Sequence, residues 1–125
     1  MTIFGIGNDI VEIARIEKAL IRNAKFAKKI LGQDEYKIYE QRKHNIAYVA
    51  KRFASKEALA KALGIGFRYP VTWQDIQILS DDKGKPIFYF TNQMLDFINK
   101  NHLKCHISLS DEKHYAIAYV FIEEI

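Results

Sequence analysis

Two carboxylates and a lysine carry the first chemical signal. Asp9 sits in "GIGNDIVEI", residues 5–13, an isoleucine-rich run that, with Ile3 and Phe4 before it, reads as a buried strand. Glu57 and Lys61 fall one helical turn apart in "KRFASKEALAKALGIG", residues 51–66. A carboxylate in apolar surroundings is costly unless a cation or hydrogen bonds meet it. Two such groups on different elements repel if they meet alone, and a hard cation between them removes both penalties. Magnesium is usually held by one or two carboxylates, with waters and substrate phosphates completing its shell. The neighbours of Glu57 suit the phosphate half of such a site. Arg52, Lys56 and Lys61 can face phosphate oxygens, and Gly64 and Gly66 can let a backbone approach closely.

Each of these residues also has a plainer reading. Gly7-Asn8-Asp9 can simply bend the chain, and pattern alone leaves turn residue and ligand in balance for Asp9. Glu57 and Lys61 can pair within their helix, an arrangement worth a few tenths of a kcal/mol. Stepping about 100° per residue from Ile46 places Val49, Ala50, Phe53, Ala60 and Gly64 within about 60° of it, with Glu57 in their midst. That inward direction weakens the surface-pair reading. Arg52 and Lys56 then lie on one flank.

A third segment, "CHISLSD" at 105–111, alternates as a strand. His106, Ser108 and Ser110 share one face, and Cys105, Ile107, Leu109 and Asp111 the other. Spacing of this kind is ordinary alternation, so a structural or substrate-contacting His106 is preferred to a serine nucleophile. His44, His102 and His114 read as surface residues and Cys105 as a core thiol. The run from Arg15 through Lys18, Arg22, Lys25 and Lys28 to Lys29 is a solvated basic face or a docking surface for an acidic partner. Aromatic residues do not interleave with it as a nucleic-acid reader requires.

The elements that must position these groups follow from periodicity and punctuation. Residues 2–11 read as a strand, 12–22 as an amphipathic helix, 24–31 as a short apolar-basic segment and "DEYKIYEQR" as a further helix. Residues 45–63 form the clearest helix, with Asn45 as its cap and Gly64 as its stop. "WQDIQILS" and "IFYF" around the "DDKGKP" turn predict a hairpin over 73–90, followed by a short helix over 91–101 and a second hairpin from the last two strands. Helices and strands mix without a regular βαβ rhythm. The expected fold is therefore α+β, one domain over 1–125 with the long helix packed on a mostly antiparallel sheet.

Composition sets outer bounds. The chain has 125 residues, 49% of them hydrophobic and 27% charged, an ordinary balance for one globular core. No apolar run is long enough for a membrane span, and the N-terminus lacks the pattern of a signal peptide. One cysteine excludes an intramolecular disulfide and a four-cysteine zinc site, so a cytoplasmic setting is expected. Nineteen lysines and arginines against 15 acidic residues give a net charge of +4. That excess suits an acidic partner without naming it.

Three segments together resemble a known family. "GIGNDIVEIARIE" at 5–17, "KRFASKEALAKALGIG" at 51–66 and "HISLSDEKHYAIA" at 106–118 are similar, in order and spacing, to holo-[acyl-carrier-protein] synthases, the short bacterial 4′-phosphopantetheinyl transferases. "GKP" at 84–86 matches a family turn. The resemblance implies transfer of 4′-phosphopantetheine from coenzyme A to a serine of apo acyl carrier protein, with release of adenosine 3′,5′-bisphosphate, in the service of fatty acid biosynthesis. It implies Asp9 and Glu57 as Mg²⁺ ligands and Glu57 and Lys61 as catalytic residues, Lys61 near the coenzyme A diphosphate. Arg52 is then expected near a nucleotide phosphate, Gly64 and Gly66 along the nucleotide site, and His106 against coenzyme A. Arg15 and Arg22 become the docking face for the acidic carrier protein. A homotrimer with active sites between subunits is implied as well. Many members carry a histidine where this chain has Asp111, which leaves that position without an assigned role. A non-catalytic module that binds nucleotides or acidic proteins is the alternative that charge alone permits.

Overall fold

The computed structural model describes residues 1–125. A long strand, β1 (Thr2–Glu12), leads into α1 (Ile13–Arg22), the short α2 (Phe26–Ile30) and α3 (Gln33–Gln41). The central helix α4 (Ile46–Leu63) follows, then the hairpin of β2 (Ile76–Ser80) and β3 (Pro86–Phe90). Helix α5 (Asn92–Lys100), β4 (Leu103–Asp111) and β5 (Tyr115–Glu124) complete the chain. All strand pairs are antiparallel, in one sheet of order β1-β5-β4 and a second made of β2 and β3. The α+β expectation holds, and no helix is long and apolar enough to cross a membrane.

Helix α4 is the axis of the molecule. The Asn45 side chain accepts from the Tyr48 N–H at 2.8 Å and caps its start, and Gly64, at φ 81°, ends it in the left-handed conformation that glycine adopts without penalty. It packs on β1 and β5 on one side and on α1, α2 and β2 on others. Ala116, Ala118, Val120 and Ile122 of β5 point at it and are fully buried, joining Val49, Ala50, Ala54, Ala58 and Leu59 in one continuous core. A helix enclosed on most sides has no single apolar stripe. Lys56, which the wheel puts on the flank of the stripe, is therefore as buried as the alanines, and so is Ser55.

Two expectations about strands are corrected. Ile3, Phe4, Ile6 and Ile10 do not enter the core; they are 66%, 43%, 57% and 59% exposed, Phe4, Ile6 and Ile10 on the outer face of the sheet and Ile3 beside the register shift between Ile3 and Gly5. The sheet packs helices on one face only, so period-two alternation sends every second residue outward. Trp73–Asp75 forms a 3₁₀ turn rather than the start of β2. There the Asp75 carboxylate accepts from the Thr72, Thr91 and Asn92 side chains, which bends the chain ahead of the strand. Trp73 stacks on Phe67 with centroids 3.9 Å apart and on Phe53 at 5.3 Å, anchoring the loop that follows Gly64.

Candidate active site

The inner face of β1 runs Gly5, Gly7, Asp9, Val11, and the first two residues decide how close the strand comes to α4. A Cβ on Gly5 would stand 2.0 Å from the Ala62 carbonyl oxygen, and one on Gly7 would stand 2.1 Å from that of Ala58. Only glycine permits this backbone-to-backbone approach. The next inward residue is Asp9, which the approach delivers to the last turns of α4. Gly7-Asn8-Asp9 makes no turn; all three pair with β5 inside the strand. The Lys61 ammonium donates to Asp9 Oδ1 at 3.1 Å and to the Asn8 carbonyl at 3.1 Å. Asp9 is 16% exposed and Lys61 54%, so the carboxylate is held and the ammonium can swing.

Glu57 lies one turn before Lys61 on the same flank. Burial and then the nearby Asp9 push its carboxyl above the usual carboxylate range, while Lys61 pulls the other way. It takes part in none of the molecule's four ion pairs, which join Lys51 to Asp111, Lys56 to Glu35, Lys61 to Asp9 and His106 to Glu123. Asp9, Glu57 and Lys61 thus form a cluster of two carboxylates and one ammonium, with a surplus negative charge. Hard-oxygen donors in that number fit Mg²⁺, whose remaining positions water and phosphate oxygens fill. No third His, Cys, Asp or Glu is placed to close a fully protein-built cage.

The other predicted residues scatter, and the scatter is informative. Lys56 faces no phosphate: its ammonium is wholly buried and donates to Glu35 Oε1 at 2.6 Å, the Ile30 carbonyl at 2.6 Å and the Trp73 carbonyl at 2.9 Å. Glu35 completes that hub by accepting from the Gly32 N–H through one oxygen and the Ile78 N–H through the other. The hub fixes α4 against α2, α3 and β2. Gly64 and Gly66 serve conformation rather than close approach, having positive φ and open space where a Cβ would be. Close approach belongs to Gly5 and Gly7, whose alternation with Asp9 in "GIGND" was the available signal.

Arg52 is nearly buried, five residues and about 140° around the helix from Glu57. It opens instead onto a cleft of about 740 Å³ shared with Arg42, Lys51, Lys85 and Ser108. His106 is on the outer face of the sheet, its Nε2 2.7 Å from Glu123 Oε1. Arg15 and Arg22 are exposed on α1. A single chain therefore brings Asp9, Glu57 and Lys61 together and holds Arg52 and His106 apart from them. A cavity of about 930 Å³ beside α3 contains none of the three clustered groups.

Comparison with known proteins accords with this arrangement. The holo-[acyl-carrier-protein] synthase of Aliivibrio fischeri (strain MJ11) is 46% identical over 125 residues, spanning 98% of this chain and 99% of that protein. The crystal structure of the holo-[acyl-carrier-protein] synthase from Neisseria meningitidis matches with a TM-score of 0.93 at 36% identity, over 98% of this chain and 99% of that one. A holo-(acyl-carrier-protein) synthase from Bacillus anthracis str. Ames, solved in complex with CoA (3′,5′-ADP), matches with a TM-score of 0.84 at 36% identity, over 100% of both chains. The family model of the 4′-phosphopantetheinyl transferase superfamily matches residues 5–120, and the chain belongs to that superfamily.

Proposed function

We propose that this chain transfers 4′-phosphopantetheine from coenzyme A to a serine of an apo acyl carrier protein, releasing adenosine 3′,5′-bisphosphate and serving fatty acid biosynthesis. The observation that carries the reading is the Asp9–Glu57–Lys61 cluster, set on two elements at glycine-limited contact. Asp9 and Glu57 would hold Mg²⁺, whose contribution when bound is to neutralise charge on the diphosphate. Lys61, half-exposed and tethered by two hydrogen bonds, can turn its ammonium to a phosphate oxygen as the P–O bond to the nucleotide breaks. The attacking serine must lose its proton, and Glu57, whose carboxyl burial and the nearby Asp9 make more basic, is the acceptor this chain offers.

The nucleotide half belongs to Arg52, Gly64, Gly66 and His106. Arg52 and Glu57 point to opposite flanks of α4, so one coenzyme A molecule reaches both sets most simply across two subunits. The outer sheet face supports an assembly of that kind: Ile6, Ile10, Ile117 and Tyr119 are between 43% and 59% exposed there, an apolar area a partner copy would cover. A homotrimer with sites between subunits fits both observations. Arg15 and Arg22, on the exposed face of α1, would dock the acidic carrier protein. The lone, unpaired Cys105 suits a cytoplasmic setting.

The test is a mass measurement on carrier protein incubated with this chain, coenzyme A and Mg²⁺. One phosphopantetheine added per carrier, abolished by chelator, is the expected result. Carrier binding without a mass gain would assign the protein to non-catalytic recognition instead.

A further inference from the structure

Arg52 is held in an unusual way. It is nearly buried, yet its guanidinium has a single hydrogen bond, from Nη2 to the Ile78 carbonyl at 3.0 Å, and Nε has no partner. Its main support is a ring: Cζ lies 3.9 Å from the Tyr48 centroid. Tyr48 stands four residues earlier on α4, the helical spacing that stacks one side chain over the next. The ring is itself fixed, being 1% exposed at the capped first turn of the helix. A second guanidinium, that of Arg42, lies 5.2 Å from the same centroid. Neither arginine forms an ion pair with a carboxylate. Both line the cleft that also carries Lys51 and Lys85. Two unpaired guanidiniums on one aromatic platform, at the wall of a basic cleft, form a site for a doubly charged anion.

We propose that Tyr48 is a positioning residue that aims Arg52, and with it Arg42, at the ribose 3′-phosphate of coenzyme A. The proposal rests on the transferase reading above, in which Lys61 and the two carboxylates take the diphosphate. The 3′-phosphate is then the one remaining anionic group of the substrate. Without the ring, Arg52 keeps one hydrogen bond as a hinge and swings away from the cleft. The Tyr48 hydroxyl is not needed, since it makes no hydrogen bond.

The test is competition binding of adenosine 3′,5′-bisphosphate and adenosine 5′-monophosphate, with the ratio of their dissociation constants as readout. A merely structural role would weaken both ligands alike and leave the ratio unchanged. Wild type is expected to prefer the bisphosphate. Tyr48→Phe keeps that preference, whereas Tyr48→Leu and Arg42→Ala each cut it about tenfold, the loss of roughly one charge-assisted contact. An unchanged ratio in Tyr48→Leu, with a lowered one in Arg52→Ala, overturns the positioning role. If Tyr48→Leu does not fold, the exposed Arg42 decides: an unchanged ratio in Arg42→Ala overturns the paired-arginine site. A full preference in Arg52→Ala would instead refute the assignment of Arg52 to the nucleotide, and the proposal would fall with it.

Discussion

Replacing Gly7 with alanine should damage the site without touching any group that does chemistry. The new Cβ would lie 2.1 Å from the Ala58 carbonyl oxygen and 2.8 Å from the Ala62 nitrogen, where contacts under 3.0 Å are essentially never seen. Both obstacles are backbone, so no rotamer change relieves them. The strand must move outward by at least about 1 Å, the difference between 3.0 and 2.1 Å. Asp9, two residues on, then loses the 3.1 Å contact with Lys61. Overpacking of this sort costs about 1–3 kcal/mol, and a misplacement near 1 Å can cost about a hundredfold in rate. Urea melts and the carrier mass assay measure the two effects separately. Gly84→Ala is the control for stability: its φ is 83° with open space around it, so only the left-handed penalty of roughly 1–2 kcal/mol applies. Ala58→Gly should not rescue Gly7→Ala, because the clash is with the carbonyl and not the methyl. A Gly7→Ala protein with wild-type urea midpoint and activity within twofold would refute the close-approach argument.

Three further outcomes follow from the same structure. Lys56→Met leaves the Glu35 carboxylate buried without its cation and should cost about 3–5 kcal/mol in urea unfolding, with Glu35→Leu added to it recovering part of the loss. Cys105, whose thiol burial pushes up to about 12, should resist alkylation at pH 8 in the folded protein and react once denatured. Removing the apolar outer face by Ile6→Lys and Ile117→Lys should lower the assembly state seen by light scattering and lower activity with it; monodisperse, fully active single chains would count against a site shared between subunits.

Elements with a strong local signal were readable: α4, with its capping Asn45 and terminal Gly64, begins and ends where those residues say. So was the alternation of β4, with His106, Ser108 and Ser110 all outward. Lys56 is misread as a phosphate contact, and the burial of Arg52 goes unseen, because their surroundings come from segments distant in sequence. Glu35, which pairs with Lys56, is 21 residues away, and Ile78, which holds Arg52, is 26 residues away. The outward Ile6 and Ile10 were misread for a related reason: a continuous apolar run fits a doubly covered strand as well as a strand whose outer face awaits a partner. Asp9 and Glu57 were legible as ill-fitting charges, but their meeting depends on Gly5 and Gly7.

The most direct test of the central claim is Mg²⁺-dependent phosphopantetheine transfer by wild type, Asp9→Asn and Glu57→Gln, read as the mass of an acyl carrier protein. Wild type should convert the carrier fully, and both variants should fall by at least about a hundredfold, with wild-type melting temperatures. Either variant working at the wild-type rate when Mg²⁺ is limiting would contradict the account.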